Sequence, residues 1–250
     1  MRITFLGTGA AGGVPLYGCR CEACTLATEN PALRRAPCSA LIETGDTRIL
    51  IDGGLMDLHT RFAPGELDAI LLTHFHPDHV QGLFHLRWGK VPRIPVLIPP
   101  DPDGCADLFR HPGILDFQPQ TALSAFNIGP LRITPVPLIH SKPTFGYVFE
   151  CPSGPAFAYL TDTRGLPRDT ESFLKTVKPE GLAIDCSFPP SDRPRGHNDW
   201  PLALKCIEAL GPDQAWLIHL SHELDLWRLV TRPELPATIR VAHDGEQVDL

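Results

Sequence analysis

Thr73-His74-Phe75-His76-Pro77-Asp78-His79 places four metal-competent side chains within six residues. The stretch closes an apolar run, Leu67–Thr73, of strand length. In extended backbone, residues two apart share a side, so His74 and His76 can grip one ion. Pro77 fixes a turn, after which Asp78 and His79 leave in another direction and can grip a second. Neutral imidazole and carboxylate suit Zn, Mn, Fe or Ni. A lone histidine is usually a surface or satisfied core residue. Four ionisable groups following an apolar strand differ, because burying them without a cation is expensive. Two ions need more than four ligands, and His140, Asp162 and His219 are the further candidates.

Outward from this stretch, other polar residues also fall at strand ends. Arg2–Leu6, Ala40–Glu43 and Thr47–Asp52 read as strands, the last two joined by a turn through Gly45. Pro95–Ile98, Leu131–Val136, Tyr147–Glu150, Ala156–Thr161, Leu182–Asp185 and Ala215–Leu220 read likewise. Leu55–Phe62, Val80–Trp88, Leu166–Val177 and Trp200–Leu210 have helical spacing, the last with Asn198 or Asp199 as N-cap. Early hairpins followed by alternating strands and helices predict an α/β sandwich, with residues 1–250 as one domain. Asp52, His74, Asp162, Asp185 and His219 each end a strand, the usual place for a site in α/β proteins.

The 250 residues carry a formal net charge of −7, which argues against a nucleic-acid partner. Gly and Pro are numerous, at 21 and 27, and predict many turns. No apolar run approaches the ~18 residues of a membrane span, and the first residues read as a strand with no signal peptide. The expectation is a cytoplasmic chain in which the eight cysteines are ligands or buried thiols rather than disulfides. Cys19, Cys21 and Cys24, beside Gly18 on a loop, match tetrahedral Zn ligation with one ligand missing. His222 is the preferred fourth and Cys38 its competitor; a redox switch is the rival use of such thiols. Cys105, Cys151, Cys186 and Cys206 fit ordinary buried small residues.

His74-Phe75-His76-Pro77-Asp78-His79, with Asp52, His140, Asp162 and His219 at their spacings, resembles the defining motif set of the metallo-β-lactamase superfamily. The resemblance implies a four-layer αββα sandwich. It also implies that His74, His76 and His140 hold one divalent ion and that Asp78, His79 and His219 hold a second. Asp162 would bridge the two, and Asp52 would orient a ligating imidazole. Mn or Zn is expected there, and one structural Zn at the cysteines. Gly7–Pro15 with Cys19–Cys24, Leu86-Arg87-Trp88-Gly89 and His140-Ser141-Lys142 narrow the likeness to the PhnP-type phosphodiesterases of the carbon–phosphorus lyase pathway. That family implies hydrolysis of 5-phosphoribosyl 1,2-cyclic phosphate to ribose 1,5-bisphosphate in phosphonate catabolism.

A sugar oxygen leaving phosphorus needs a proton. His197, after Arg193-Pro194-Arg195-Gly196 and before a helix start, is the candidate donor. The family likeness supports that role. Lys142, Arg87 and Arg110 are candidates for a second phosphate. The expected partner is therefore a small phosphorylated sugar, with no nucleic acid or membrane, and a homodimer is left open. Within the same fold the alternatives are a tRNA 3′-processing nuclease and a PqqB-like accessory protein. A metal-binding redox sensor is the non-enzyme alternative.

Overall fold

The computed structural model describes residues 1–152 and 154–250. β1 (Arg2–Gly7), β2 (Ser39–Thr44) and β3 (Thr47–Ile51) pair antiparallel, and Gly45, at φ +56°, makes the β2–β3 turn. Pairing then becomes parallel through β4 (Ala69–Leu71), β5 (Ile94–Ile98) and β6 (Leu115–Pro119). β7 (Phe126–Ile128), β8 (Leu131–Pro137), β9 (Phe145–Glu150) and β10 (Phe157–Leu160) begin a second sheet as antiparallel neighbours. β11 (Gly181–Asp185), β12 (Gln214–Ile218) and β13 (Ile239–Val241) extend it in parallel. β14 (Gln247–Asp249) crosses back to β1, so each sheet has seven strands among the described residues.

The buried stretches of the central strands, Ile49–Ile51 and Leu182–Ile184 among them, are continuous apolar runs because both faces are covered. Ile49 and Ile51 face the inter-sheet core with Phe5, Tyr147 and Trp216, while Leu50 between them faces outward with Leu58 and Leu83. On β11, Ala183 faces inward, and Leu182 and Ile184 pack outward with Leu174 and Ala203 of the flanking helices. Each such Leu or Ile contributes about 1.5–3 kcal/mol by burial. The layers are thus helix, sheet, sheet, helix: the αββα sandwich.

Several sequence expectations need correction. Leu67–Thr73 yields only Ala69–Leu71, because Thr73 gives its backbone N–H to the Asp52 carboxylate and leaves the ladder. Val80–Trp88 is not one helix but two turns, Pro77–Val80 and Leu83–Leu86. Between them Gly82 donates to the Gly53 carbonyl, and a Cβ on Gly82 would lie 1.9 Å from the Leu55 carbonyl oxygen. Leu55–Phe62 shortens to Leu58–Arg61. Trp200–Leu210 is a helix as read, with Asp199 as its N-cap accepting from the Leu202 N–H. Helices at Glu22–Glu29, Ala106–Arg110 and His222–Thr231, and β6, β7, β13 and β14, were not expected.

Register brings the site together. Ile51 pairs with Leu71 and Leu71 with Leu97; Leu160 pairs with Ile184 and Ile184 with Leu217. Asp52 and the Thr73–His79 segment therefore leave one sheet side by side, as Asp162, Asp185 and His219 leave the other. The Tyr147 hydroxyl donating to the Leu72 carbonyl, and the Phe145 N–H donating to the Thr73 carbonyl, tie the sheets together beneath them.

Candidate metal centre

Imidazole nitrogens of three histidines meet. His74 Nε2 is 2.8 Å from His76 Nδ1, which is 3.0 Å from His140 Nε2. The hydrogen bonds on the far sides of His74 and His140 fix their tautomers. Thr73 Oγ1 donates to Asp52 Oδ2 and so accepts from His74 Nδ1. His140 Nδ1 donates to the Gly196 carbonyl, which can only accept. His76 Nε2 faces the Ser141 hydroxyl at 3.3 Å. The His74 and His140 lone pairs therefore point at His76 Nδ1, and Asp162 Oδ2 lies 3.7 Å from His74 Nε2 and 3.8 Å from His140 Nε2.

The adjoining half obeys the same logic. His79 Nδ1 donates to Asp52 at 2.7 Å. The Ser187 hydroxyl donates to Asp185 Oδ1 and accepts from His219 Nδ1. The remaining Nε2 atoms of His79 and His219 are buried without a hydrogen-bond partner. His79 Nε2 is 3.2 Å from Asp78 Oδ2, and His219 Nε2 is 3.3 Å from Asp162 Oδ2. Lone pairs aimed at carboxylates in a buried site repel unless a cation lies among them. This donor set fits divalent metal: neutral nitrogens and carboxylate oxygens in two adjoining groups.

Titration agrees with ligation. Burial drives His74 well below the usual histidine range, and burial lowers His76 and His140 too, which keeps all three neutral. Burial works against an ionised Asp162, but His219, His79 and His74 surround it and hold it well below the carboxylate range. His79 differs: burial opposes its charge, yet Asp52 and Asp162 raise it well above normal. The second proton would sit on the partnerless Nε2, the position a metal ion would take.

Backbone conformation helps to aim these groups. Asp52 and His219 lie at φ +59° and +60°, a region that non-glycine residues seldom occupy, at a cost of ~1–3 kcal/mol each. Asp52 is completely buried and accepts from the Thr73 N–H, the Thr73 hydroxyl and His79, so one carboxylate orients two imidazoles. Thr73 and Ser187 are positioning residues that sequence reading did not single out. Their signal was local: each lies within two residues of a ligand candidate or a strand-end aspartate.

His197 flanks the centre. Its Nδ1 donates to Asp185 Oδ2 at 2.7 Å, and its ring stacks on His219 with centroids 4.8 Å apart. Burial opposes its charge, but Asp185 and Asp162 raise its pKa to about 9. Among the expected cations, Arg87 is buried and bonded to the Asp107 carboxylate and to the Asp107 and His111 carbonyls, so it holds the fold together and does not face a ligand. Lys142 is 3.4 Å from Asp101, and Arg110 is exposed at the end of its helix. Arg164 donates to the Pro194 carbonyl, between exposed Arg193 and Arg195 on the loop that precedes His197.

A second cluster joins Cys19, Cys21, Cys24 and His222. His222 Nδ1 is 3.6 Å from both Cys19 and Cys21 Sγ. Cys38 is excluded: it is fully buried in the inter-sheet core with its thiol 3.2 Å from the Tyr159 hydroxyl. The cysteines are not all on a loop, since Cys21 caps and Cys24 belongs to the helix Glu22–Glu29. His222 opens the helix His222–Thr231 rather than lying on the loop of His219. Four thiolate and imidazole donors of this kind fit zinc.

The sequence pattern described as "Beta-lactamase superfamily domain" matches residues 47–220. An octanoyltransferase from Porphyromonas gingivalis is 30% identical over 98% of this chain but only 51% of its own length. The chain spans about half of that relative and about a third (35%) of the curated PqqB of Methylobacterium radiotolerans, which it matches at 36% identity over 36% of its own length. Among solved structures, a diphosphatase of the PhnP family superposes with TM-score 0.82 and 27% identity, covering 99% of this chain and 97% of that one. Zinc-bound PqqB from Methylobacterium extorquens superposes at 0.77 and 19% identity over 100% of both chains, a likeness of fold. No helix among the described residues is long and apolar enough to cross a membrane.

Proposed function

The chain belongs to the β-lactamase superfamily, and on that premise we propose that it is a metal-dependent phosphodiesterase acting on a cyclic sugar phosphate. The observation that carries this reading is five imidazole nitrogens gathered with Asp78 and Asp162, and His197 held by Asp185 beside them. His74, His76 and His140 would hold one divalent ion, Asp78, His79 and His219 a second, with Asp162 shared. When bound, such a pair activates water and offsets phosphoryl charge. The protein's own groups do the rest. Water adds to phosphorus, the bond to one sugar oxygen breaks, and His197 gives that oxygen its proton. Asp185 keeps His197 protonated at neutral pH and fixes the ring by its Nδ1, so that the Nε2–H is the one transferred. Structural likeness to a PhnP-family diphosphatase supports hydrolysis at phosphorus, and the sequence resemblance supports 5-phosphoribosyl 1,2-cyclic phosphate as substrate. Arg164, Arg193 and Arg195, on and against the loop that precedes His197, would be the cations to meet its second phosphate.

The test is turnover by metal-reconstituted protein of that cyclic phosphate against linear diesters, tRNA and a β-lactam. The cyclic substrate should lead in kcat/KM by at least tenfold. Preference for tRNA or the β-lactam, or no turnover with Mn, Zn or any other divalent ion, overturns the reading.

A further inference from the structure

A cavity of about 420 Å³ opens between the helices Glu22–Glu29 and His222–Thr231. None of its lining residues belongs to the histidine–aspartate centre. Its apolar wall includes Leu26, Leu33, Leu229 and Val241. Its charged residues are unbalanced: Arg34, Arg35, Arg228 and Arg232 face only Glu22 and Asp225. In a chain with net charge −7, this is a local excess of cations over an apolar wall.

The four arginines are not equivalent. Arg35 has four of its five N–H groups engaged, by both Asp225 oxygens, the Thr8 hydroxyl and the Ala242 carbonyl. Arg34 is half engaged by the Ala27 and Thr28 carbonyls. Arg228 uses one nitrogen on Asp225, a carboxylate already shared with Arg35. Arg232 has no side-chain hydrogen bond among the described residues. Arg228 lies in the last turn of the helix His222–Thr231 and Arg232 is its left-handed cap, and both line the cavity.

We propose that this cavity binds a small amphipathic anion, its carboxylate head between Arg228 and Arg232 and its apolar body against Leu26, Leu33 and Leu229. Guanidinium groups favour carboxylates because paired N–H groups match the two oxygens. The volume holds roughly a dozen non-hydrogen atoms at the ~30 Å³ each takes in liquid packing. The body must be apolar, since a hydrated one would leave the leucine wall uncovered.

Titration calorimetry on the metal-replete protein tests this, with decanoate as probe. Decanol has the body without the charge, and acetate the charge without the body. Decanoate should bind at one site with Kd below about 1 mM, and each control at least about tenfold more weakly. Arg232→Asn keeps a residue that tolerates the left-handed cap, at φ +47°, and should weaken decanoate about fivefold or more. Leu229→Asp, at an exposed helix position, should abolish binding without altering the melting temperature by more than a few degrees. Arg228→Gln should act like Arg232→Asn, and the Arg232 variant decides the matter if Arg228→Gln misfolds. Decanoate binding no tighter than acetate, decanol binding as tightly as decanoate, or Arg232→Asn binding decanoate like the parent overturns the proposal.

Discussion

Every imidazole of the histidine–aspartate centre has its second nitrogen tied to something else, whereas the thiols of the cysteine cluster are tied to almost nothing. Thr73, Ser141, Asp52, the Gly196 carbonyl and Ser187 hold His74, His76, His79, His140 and His219 in turn. At the other cluster the thiols have only long contacts, from the backbone N–H groups of Cys21 and Leu16 and with His222 Nδ1. The backbone N–H of Cys21 lowers the Cys19 pKa, while burial pushes Cys24 up to about 12. Rigid strand ends and buried carboxylates thus organise the first site without an ion. The second, on a loop and two helix starts, has no such scaffold, and an ion held there would supply its order. Preorganisation is what chemistry needs and a structural clamp does not.

Asp162 is where breaking the first site should show most. Its Oδ2 lies within 3.3–3.8 Å of nitrogens on four ligand candidates, His219, His79, His74 and His140. Asp162→Asn keeps the volume and removes the charge. Turnover should fall by at least ~10³-fold with loss of metal, since uncompensated buried charge is expensive. Metal analysis and kcat on the same preparation check this; full metal with near-normal kcat breaks the comparison.

His197 tests the transfer of the proton separately from metal retention. His197→Ala should keep the metals and lower kcat by ~10²–10⁴-fold on a cyclic sugar phosphate. A p-nitrophenyl diester, whose leaving group needs no proton, should be affected far less. The sign of the pH effect follows from the raised pKa of about 9. The imidazolium is present at neutral pH and is lost as pH rises through that value, so the parent should lose activity on the alkaline side and the variant should lack that limb. Equal losses on both substrates would make His197 a positioning residue.

A smaller effect should appear at Ser187, which links Asp185 to His219. Ser187→Ala leaves His219 Nδ1 without an acceptor. Metal affinity or turnover should fall by ~10–100-fold, as for other groups that orient a ligand. Dialysis against a chelator, followed by metal titration, measures it. Unchanged affinity would show that the ring is held by packing alone.

How much of this was legible follows the same divide. His74-Phe75-His76-Pro77-Asp78-His79 announces itself because six consecutive positions carry the pattern. The long helices Arg168–Val177 and Trp200–Leu210 were legible by period and, for the second, by its Asp199 cap. Pro77–Val80 and Leu83–Leu86 were not, since the break between them is imposed by Gly53 and Leu55 from another part of the chain. Glu22–Glu29 hid because its cysteines read as loop ligands, although one of them is helical. Arg87 misled as a phosphate candidate because its partner, Asp107, lies on a helix that sequence reading missed. Short elements and distant partners are tertiary facts that no local pattern encodes.

The smallest effect on turnover belongs to the cysteine cluster, and it is the sharpest test of the comparison. Cys21→Ser replaces a thiolate by a poor zinc ligand without changing the helix cap, since serine also caps well. Zinc content should drop by about one ion per chain, as for a closed four-ligand site. Because the αββα layers bury their own cores, the protein should still fold. A loss of about 2 kcal/mol lowers the melting temperature by roughly 4–8 °C at this size. kcat should stay within about threefold of the parent, because the histidine–aspartate centre is held by Thr73, Asp52, Asp185 and Ser187 and by no cysteine. Differential scanning calorimetry, metal analysis and steady-state rates on one preparation separate these outcomes. A collapse of kcat at unchanged zinc and melting temperature would move the cysteines into the chemistry and erase the distinction between a preorganised centre and an ion-dependent clamp.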